Sequence, residues 1–403
     1  MGLNDTPSAD RVHIGFFGRR NAGKSSIVNA VTGQDLAVVS DVKGTTTDPV
    51  SKAMELLPMG PVVIIDTPGF DDEGSLGELR MRKTRQVLNK TDVAVLVTDA
   101  SLPLGPCEQE LLALFEAKKI PYIIARSKCD LLKDRPDAGA HALYTSAVTR
   151  EGIRELKETI AHLGILEDAP ERIIGDLLQP SDLAVLVVPI DKAAPKGRLI
   201  LPQQQTIRDI LDANAAAIVL KETELKDIFS QLYKRPAVVI TDSQVFSRAA
   251  AETPAGVPLT SFSILMARHK GILDAAVHGA AAMSRLRPGE RILIAEGCTH
   301  HRQCDDIGTV KLPRWLSNYL GFDVSFDTVS GTEFPDDLSP YALVLHCGGC
   351  MLTEREMRYR VKCAQDQNVP ITNYGVAIAL MQGILKRSLS LFPQLQAELG
   401  ERA

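Results

Sequence analysis

The apolar residues of this chain gather in short runs separated by stretches with helical spacing. Val12–Phe17, Val62–Ile65, Val93–Val97 and Tyr122–Ala125 have the near-continuous apolar character of strands buried on both faces. Helical patterns follow Gly23, surround Glu108–Ala117 and cover Glu151–His162. Over residues 11–163 this alternation predicts βαβ units and a mostly parallel sheet. Leu166–Pro180, with Pro170, Gly175 and Pro180, reads as a connector. A second rhythm follows, with strands at Leu183–Pro189, Ala237–Thr241 and Val257–Thr260 and helices at Gln203–Ala213 and Glu224–Leu232. After a blurred break near Ala267–Gly271, a third unit runs to the end. It comprises helix Ile272–Arg285, strand Arg291–Ala295, helix Trp315–Leu320, strand Tyr341–Leu345, helix Glu354–Gln365, strand Pro370–Thr372 and a final helix. The expectation is an α/β protein of three domains with mostly parallel sheets, over residues 1–168, 169–266 and 267–403. Neither an internal repeat nor a low-complexity segment is evident.

Length agrees with that count, since 403 residues make about three domains of roughly 150 residues. A content of 45% hydrophobic and 24% charged residues is ordinary for a globular chain. The net charge of −5 gives no electrostatic footprint for nucleic acid, so no nucleic-acid partner is expected. No apolar run reaches the roughly 18–20 residues of a membrane span, and Met1–Asp10 lacks the apolar centre of a signal peptide. The chain therefore reads as cytoplasmic, with no membrane partner. Of seven cysteines, Cys298, Cys304, Cys347 and Cys350 fall in one region. In a reducing compartment that favours metal binding over disulfides.

Between the first strand and first helix lies Gly18-Arg19-Arg20-Asn21-Ala22-Gly23-Lys24-Ser25, followed by Ser26. A glycine-rich loop in that context wraps phosphates with backbone N–H groups. Lys24 can neutralise the β- and γ-oxygens and Ser25 can ligate Mg²⁺. Further motifs follow in the order a guanine-nucleotide domain needs. Gly44-Thr45-Thr46-Thr47-Asp48 suits a switch loop, with Thr46 as Mg²⁺ ligand. Asp66-Thr67-Pro68-Gly69 ends a strand, where Asp66 can hold Mg²⁺ through water and the Gly69 N–H can meet the γ-phosphate. In Ser127-Lys128-Cys129-Asp130, Asp130 can accept two hydrogen bonds from the guanine N1–H and N2 edge. In Thr145-Ser146-Ala147, the Ala147 N–H can meet guanine O6.

Residues 11–163 resemble the translation-factor-related GTPases, especially the branch typified by the tRNA-modification GTPase MnmE. The resemblance implies binding of GTP and GDP with Mg²⁺, and a K⁺ ion held by Asn21 where other GTPases use an arginine finger. Asn is also a common turn-shaping residue. Glu78 aligns loosely with the branch's water-orienting carboxylate, although a surface Glu is more often simply solvated. Lys24, Thr46, Gly69 and Glu78 form the catalytic set on this reading. Phe70, rather than Gln, follows Gly69, so intrinsic hydrolysis is expected to be slow. Ser127 stands where the family usually carries Asn or Thr. Its shorter side chain predicts a weaker link between base site and phosphate loop, leaving guanine choice to Asp130.

The second signature is Cys298-Thr-His300 after one strand, answered by His346-Cys347-Gly-Gly-Cys350 after another. If the strands are parallel, both groups emerge at one carboxyl edge, where α/β folds bind ligands. The Asn373-Tyr374-Gly375 loop follows a third strand and can line the same site. Zinc would take a Cys₃His set, and an iron–sulfur cluster would take the three thiolates. Chemistry alone leaves both open. A GTPase domain of this type joined to CxH…HCxxC resembles the FeFe-hydrogenase maturation GTPases, the HydF family, over the whole chain. That resemblance implies a dimerisation domain, a homodimer, and a 4Fe–4S cluster on Cys298, Cys347 and Cys350. It also matches His300 and His346 to the family's histidines. It further implies a scaffold for a di-iron precursor made with the radical-SAM maturases HydE and HydG and delivered to the apo-hydrogenase HydA. Cys304 reads as a spare thiol, Cys107, Cys129 and Cys363 as structural, and Trp315 as packing a helix on the third sheet. The competing readings are a K⁺-dependent GTPase of RNA modification or ribosome assembly with an appended zinc domain, and a dimeric interaction protein without GTP turnover.

Overall fold

A computed structural model of the chain describes residues 11–33, 50–57, 59–67, 84, 86–165, 172–190, 199–297, 307–331 and 333–402. It divides into two compact units, Met1–Ala169 and Pro170–Ala403. The first comprises β1 (Val12–Gly18), α1 (Lys24–Thr32), β2 (Val50–Leu56), β3 (Gly60–Asp66), β4 (Val93–Asp99), α2 (Pro106–Ala117), β5 (Tyr122–Ser127), β6 (Ala142–Tyr144) and α3 (Ile153–Ile165). The strands form a six-stranded sheet in the order β2-β3-β1-β4-β5-β6. Every pair is parallel except β2–β3.

Helices on both faces explain the apolar runs. Ile27 and Val31 of α1 and Leu156 and Ile160 of α3 pack with Ile14, Phe16 and Val95 on one face. Leu111 and Phe115 of α2 pack with Phe17, Ile65 and Leu96 on the other. The central strands point alternate side chains into two cores, so neither parity can be polar. β2 and β6 lie at the sheet's edges, and the periodicity predicts neither. β2 carries exposed Ser51, Lys52 and Glu55, as an edge strand can.

The second unit holds two parallel four-stranded sheets. The first contains β7 (Leu183–Val187), β8 (Ala216–Leu220), β9 (Val238–Thr241) and β10 (Leu259–Ser261) in the order β10-β9-β7-β8. Its crossover helices are α4 (Leu201–Asp212), α5 (Leu225–Gln231) and α6 (Phe246–Glu252). Helices α7 (Phe262–His269) and α8 (Leu273–Ala281) lead to the second sheet. That sheet contains β11 (Arg291–Glu296), β12 (Ser325–Ser330), β13 (Leu343–His346) and β14 (Ile371–Asn373) in the order β12-β11-β13-β14. Among them run α9 (Leu312–Leu320) and α10 (Glu354–Asp366), and after them α11 (Tyr374–Met381), α12 (Leu385–Ser388) and α13 (Pro393–Arg402). A single apolar cluster passes through both sheets, from Val185, Val239 and Phe246 to Leu293, Val344 and Ile371.

Two local details refine the sequence reading. The helix predicted at Trp315–Leu320 begins at Leu312, and its fully buried residues are Leu312 and Leu316, while Trp315 is half-buried. The helix predicted at Ile272–Arg285 is α8 followed by a 3₁₀ turn at Ala282–Arg285. On α8, Gly279 allows a close approach to β14, since a Cβ there would lie 1.9 Å from the Ile371 carbonyl oxygen. Backbone cannot yield as a flexible side chain can. Gly279→Ala should therefore destabilise the second unit by about 2–3 kcal/mol, read as a lower midpoint in thermal unfolding.

Candidate functional site

Four parallel strands end at one edge of the first sheet, and their last residues are Gly18, Asp66, Asp99 and Ser127. Gly18 is required by packing, because a Cβ there would lie 2.4 Å from the Val97 carbonyl oxygen. The chain then turns through Asn21 (φ 61°) and Gly23 (φ 87°) into α1. Left-handed residues before a helix N-terminus turn successive N–H groups toward an anion. Lys24 Nζ donates to Asp66 Oδ1 at 2.6 Å, and Ser25 Oγ lies 3.5 Å from Asp66 Oδ2. Ammonium, hydroxyl and carboxylate thus converge beside the loop, the set that a Mg²⁺–phosphate group requires. Thr67 Oγ1 donates to the Phe16 carbonyl at 2.7 Å and anchors the segment after Asp66. Asn21 and Ser26 are exposed at the rim.

The base side is tied to the phosphate side directly. Buried Ser127 donates its hydroxyl to the Ala22 carbonyl. The short side chain therefore still reaches the phosphate loop. A Cβ at Gly23 would stand 3.1 Å from Ser127 Oγ. Lys128, itself left-handed at φ 60°, donates to Asp99 Oδ2 at 2.7 Å. Burial pushes Asp99 upward, but hydrogen bonds from Lys128 and Ser101 outweigh it and hold the carboxyl below its ordinary range. Asp130 is exposed on the turn Cys129–Leu131. Cys129 N–H donates to Thr145 O at 3.2 Å, which joins that turn to the segment bearing Ser146 and Ala147. Ser146 N–H donates to Glu151 O, and its hydroxyl accepts from Thr149 N–H at 3.1 Å. Thr46, Gly69 and Glu78 lie outside the described residues.

In the second unit, β11 and β13 are adjacent and parallel, with Ala295 opposite His346. Their carboxyl ends place Gly297 beside Cys347. The Cys347 sulfur accepts N–H groups from Gly297 at 3.0 Å and from Gly349 at 3.4 Å. Gly349 turns at φ 62°, so the loop folds its own N–H back onto the sulfur. Burial pushes both thiols up; the Gly297 and Gly349 amides draw Cys347 back, and the charge of Lys270 draws Cys350 back. Buried Lys270 donates to the Leu352 carbonyl at 2.6 Å and fastens the far end of this loop. Tyr374 OH reaches Glu296 Oε1 at 3.3 Å, which brings α11 to the end of β11. Two N–H donors aimed at one sulfur suit anionic sulfur, the state metal coordination imposes. Gly297 directly precedes Cys298 in sequence. Cys298, His300 and Cys304 lie outside the described residues, among which no three His, Cys, Asp or Glu side chains gather as a metal set.

His346, a candidate ligand from its sequence position, is buried with both ring nitrogens engaged. Nδ1 lies 2.7 Å from the Cys347 carbonyl and Nε2 lies 3.1 Å from Arg360 Nη1. Burial first, and the Arg360 charge second, lower its pKa to about 3, so the ring is neutral.

Three family models tile this architecture. The 50S ribosome-binding GTPase family matches residues 13–128, the hydrogen maturase F dimerization domain matches 173–271, and the hydrogen maturase F tetramerization domain matches 274–391. The chain belongs to the HydF-type GTPases. Within its GTPase part it is 35% identical over 168 residues to the tRNA modification GTPase MnmE of Xanthomonas oryzae, covering 41% of this chain and 37% of that protein. It is 34% identical over 132 residues to GTPase Der of Wolinella succinogenes, covering 32% of this chain and 27% of Der. The match thus spans well under half of either relative. Among solved structures, an Aquifex aeolicus Era variant bound to GDP·AlF₄⁻ matches with 18% identity and a TM-score of 0.33, over 52% of this chain and 92% of that one. The dimerization and tetramerization matches both fall in the second unit and support oligomerisation.

Residues that the motifs do not name also build these sites. Arg19 pairs with buried Glu108 at 3.0 Å, and Glu108 also accepts the Gly105 N–H, which fixes the start of α2 against the phosphate loop. Arg360 and Glu356 stand behind His346, next to the Cys347 loop. The sequence Glu354-Arg-Glu-Met-Arg-Tyr-Arg360 reads as a solvated charged face, so helical periodicity conceals them. The one available signal was Arg360's four-residue spacing from Glu356.

Proposed function

We propose that the chain hydrolyses GTP and acts as an iron–sulfur scaffold and carrier in FeFe-hydrogenase maturation. On this reading it accepts a di-iron precursor made with radical-SAM maturases and delivers it to the apo-hydrogenase. The observation that carries the reading is the Cys347 sulfur, held by two amide N–H groups at a parallel sheet's carboxyl edge beside the residue that precedes Cys298. Cys298, Cys347 and Cys350 would hold three irons of a 4Fe–4S cluster. The cluster supplies Lewis-acidic iron whose remaining coordination position can be exchanged. The chain's own share is to present the thiolates, neutralise them with amide dipoles and Lys270, and enclose them. The test is the iron and sulfide content of protein purified without oxygen, together with its visible absorption. Both elements in equal amount with broad absorption are expected, whereas zinc without sulfide or colour overturns the reading.

The nucleotide site supports GTP hydrolysis assisted by K⁺. Asn21 occupies an exposed, left-handed position on the phosphate loop, where a monovalent cation can meet its carbonyl. Turnover measured at matched ionic strength should be faster in KCl than in NaCl, and slow in both. Equal rates would remove K⁺ from the mechanism and leave GTP hydrolysis standing.

Self-association is proposed to use β8, which is terminal in its sheet among the described residues. This terminal strand of its sheet reads Ala-Ala-Ile-Val-Leu, without charge or proline, and Val219 is 44% exposed. An uncharged exposed edge is a template for pairing with a second copy. Val219→Lys should shift the full chain toward monomer in sedimentation velocity at micromolar concentration.

A further inference from the structure

Helix α10 carries a buried cation that the chemistry above does not use. Arg360 is 0% exposed. Its Nε donates to Glu356 Oε1 at 2.9 Å, its Nη2 to the Gly331 carbonyl at 2.9 Å, and its Nη1 to His346 Nε2 at 3.1 Å. The guanidinium carbon stands 5.1 Å from the centre of the Phe334 ring. Enclosing such a charge is costly, and an apolar group of similar shape serves a core at least as well. The contact with an imidazole is therefore the informative one.

Hydrogen-bond polarity fixes the histidine's state. A guanidinium only donates, so Nε2 carries the lone pair. The Cys347 carbonyl only accepts, so Nδ1 carries the proton and donates at 2.7 Å. One neutral tautomer satisfies both contacts, and it leaves no lone pair for a metal. The relay runs from Glu356 through Arg360 and His346 to the peptide joining Cys347 and Gly348. The next residue, Gly349, returns its N–H to the Cys347 sulfur. Orientation of that peptide is thus coupled to the direction in which the thiolate is presented.

We propose that Arg360 is a positioning residue for the thiolate site, acting through His346, and that His346 orients the ligand loop instead of binding iron. The proposal rests on the reading of Cys298, Cys347 and Cys350 as cluster ligands. Outer partners of this kind typically govern metal affinity by about 10–100-fold.

The experiment uses the full chain with ¹⁵N-labelled histidine, both before and after anaerobic loading with iron and sulfide. Arg360→Lys keeps a charge for Glu356 but has no second arm for His346. His346→Asn keeps an amide N–H near the place of Nδ1, whereas His346→Gln carries its amide near Nε2. The His346 resonance, assigned by its absence in His346→Asn, should show the Nδ1–H tautomer in the wild type and lose it in Arg360→Lys. Iron release to a chelator should be about 10–100-fold faster in Arg360→Lys and His346→Gln, with shifted electron paramagnetic resonance of the reduced cluster. His346→Asn should stay near wild type in both. An Nε2–H tautomer in the wild type overturns the proposal, as does wild-type release and spectrum in Arg360→Lys. Should Arg360→Lys fail to fold, the wild-type tautomer and the Asn–Gln contrast decide. A wild-type chain that takes up no iron and sulfide instead overturns the cluster reading itself.

Discussion

Asp130→Asn should weaken GTP binding by about 10²–10³-fold and raise the affinity for XTP. The carboxylate is exposed on a turn fixed by Leu131 N–H to Lys128 O at 3.1 Å and by Cys129 N–H to Thr145 O. From there it can accept from both guanine donors. Hydrogen bonds to a charged group contribute about 1.5–3 kcal/mol each. Asparagine presents an N–H₂ to one donor and a neutral carbonyl to the other, for a loss of about 3–4 kcal/mol. Xanthine replaces the amino group with a carbonyl, so the amide recovers a partner. The side chain is exposed and the turn is held by backbone contacts, so the thermal midpoint should not move. Fluorescent-nucleotide titrations with GTP and XTP read the exchange. Unaltered GTP affinity would place the base elsewhere.

Replacing Cys347 by Ala should reduce iron and sulfide to background after anaerobic loading. Cys350→Ala and Cys298→Ala should do the same, whereas Cys304→Ala and Cys363→Ala should load as wild type does. Thiolate is the strongest iron ligand the chain offers, and three of them leave one iron with an exchangeable position. The Cys347 sulfur accepts both the Gly297 and Gly349 amides, so its loss also leaves those two donors without their acceptor. Cys363, by contrast, is half-buried on α10, away from the ligand loop in sequence. His346→Ala should retain cluster with an altered spectrum, because the peptide it holds is loosened. Cluster retained without Cys347, or lost without Cys304, would sink this assignment.

The strands legible in the sequence were those covered on both faces. Val93–Val97 is apolar throughout because α2 faces one parity and α1 and α3 face the other. Edge strands carry no such mark: β12 reads Ser-Phe-Asp-Thr-Val-Ser and is nowhere fully buried. β8 is apolar yet begins only four residues after α4 ends, and its one local signal is Asn214 at φ 57°, a left-handed turn residue. In the nucleotide site, Lys24 and Asp66 were legible because phosphate chemistry fixes both residue type and spacing, and the structure brings the two together. How Ser127 reaches the loop was not, since the approach of Gly23 is a tertiary distance. Behind the Cys347 loop, Arg360 was concealed because burial of a charge depends on partners from distant segments, here His346 and Gly331.

The apolar cluster that threads both sheets of the second unit has a thermodynamic consequence. Val185 and Phe246 share one core with Leu293 and Val344, although the two family matches meet between residues 271 and 274. Segments matched by separate family models are therefore expected to melt together. Cutting the chain at that seam would expose apolar surface on both fragments, and heat should dissolve the two layers in one cooperative step. A substitution in the core of one sheet should then lower the unfolding free energy of the other, even where no local contact connects them.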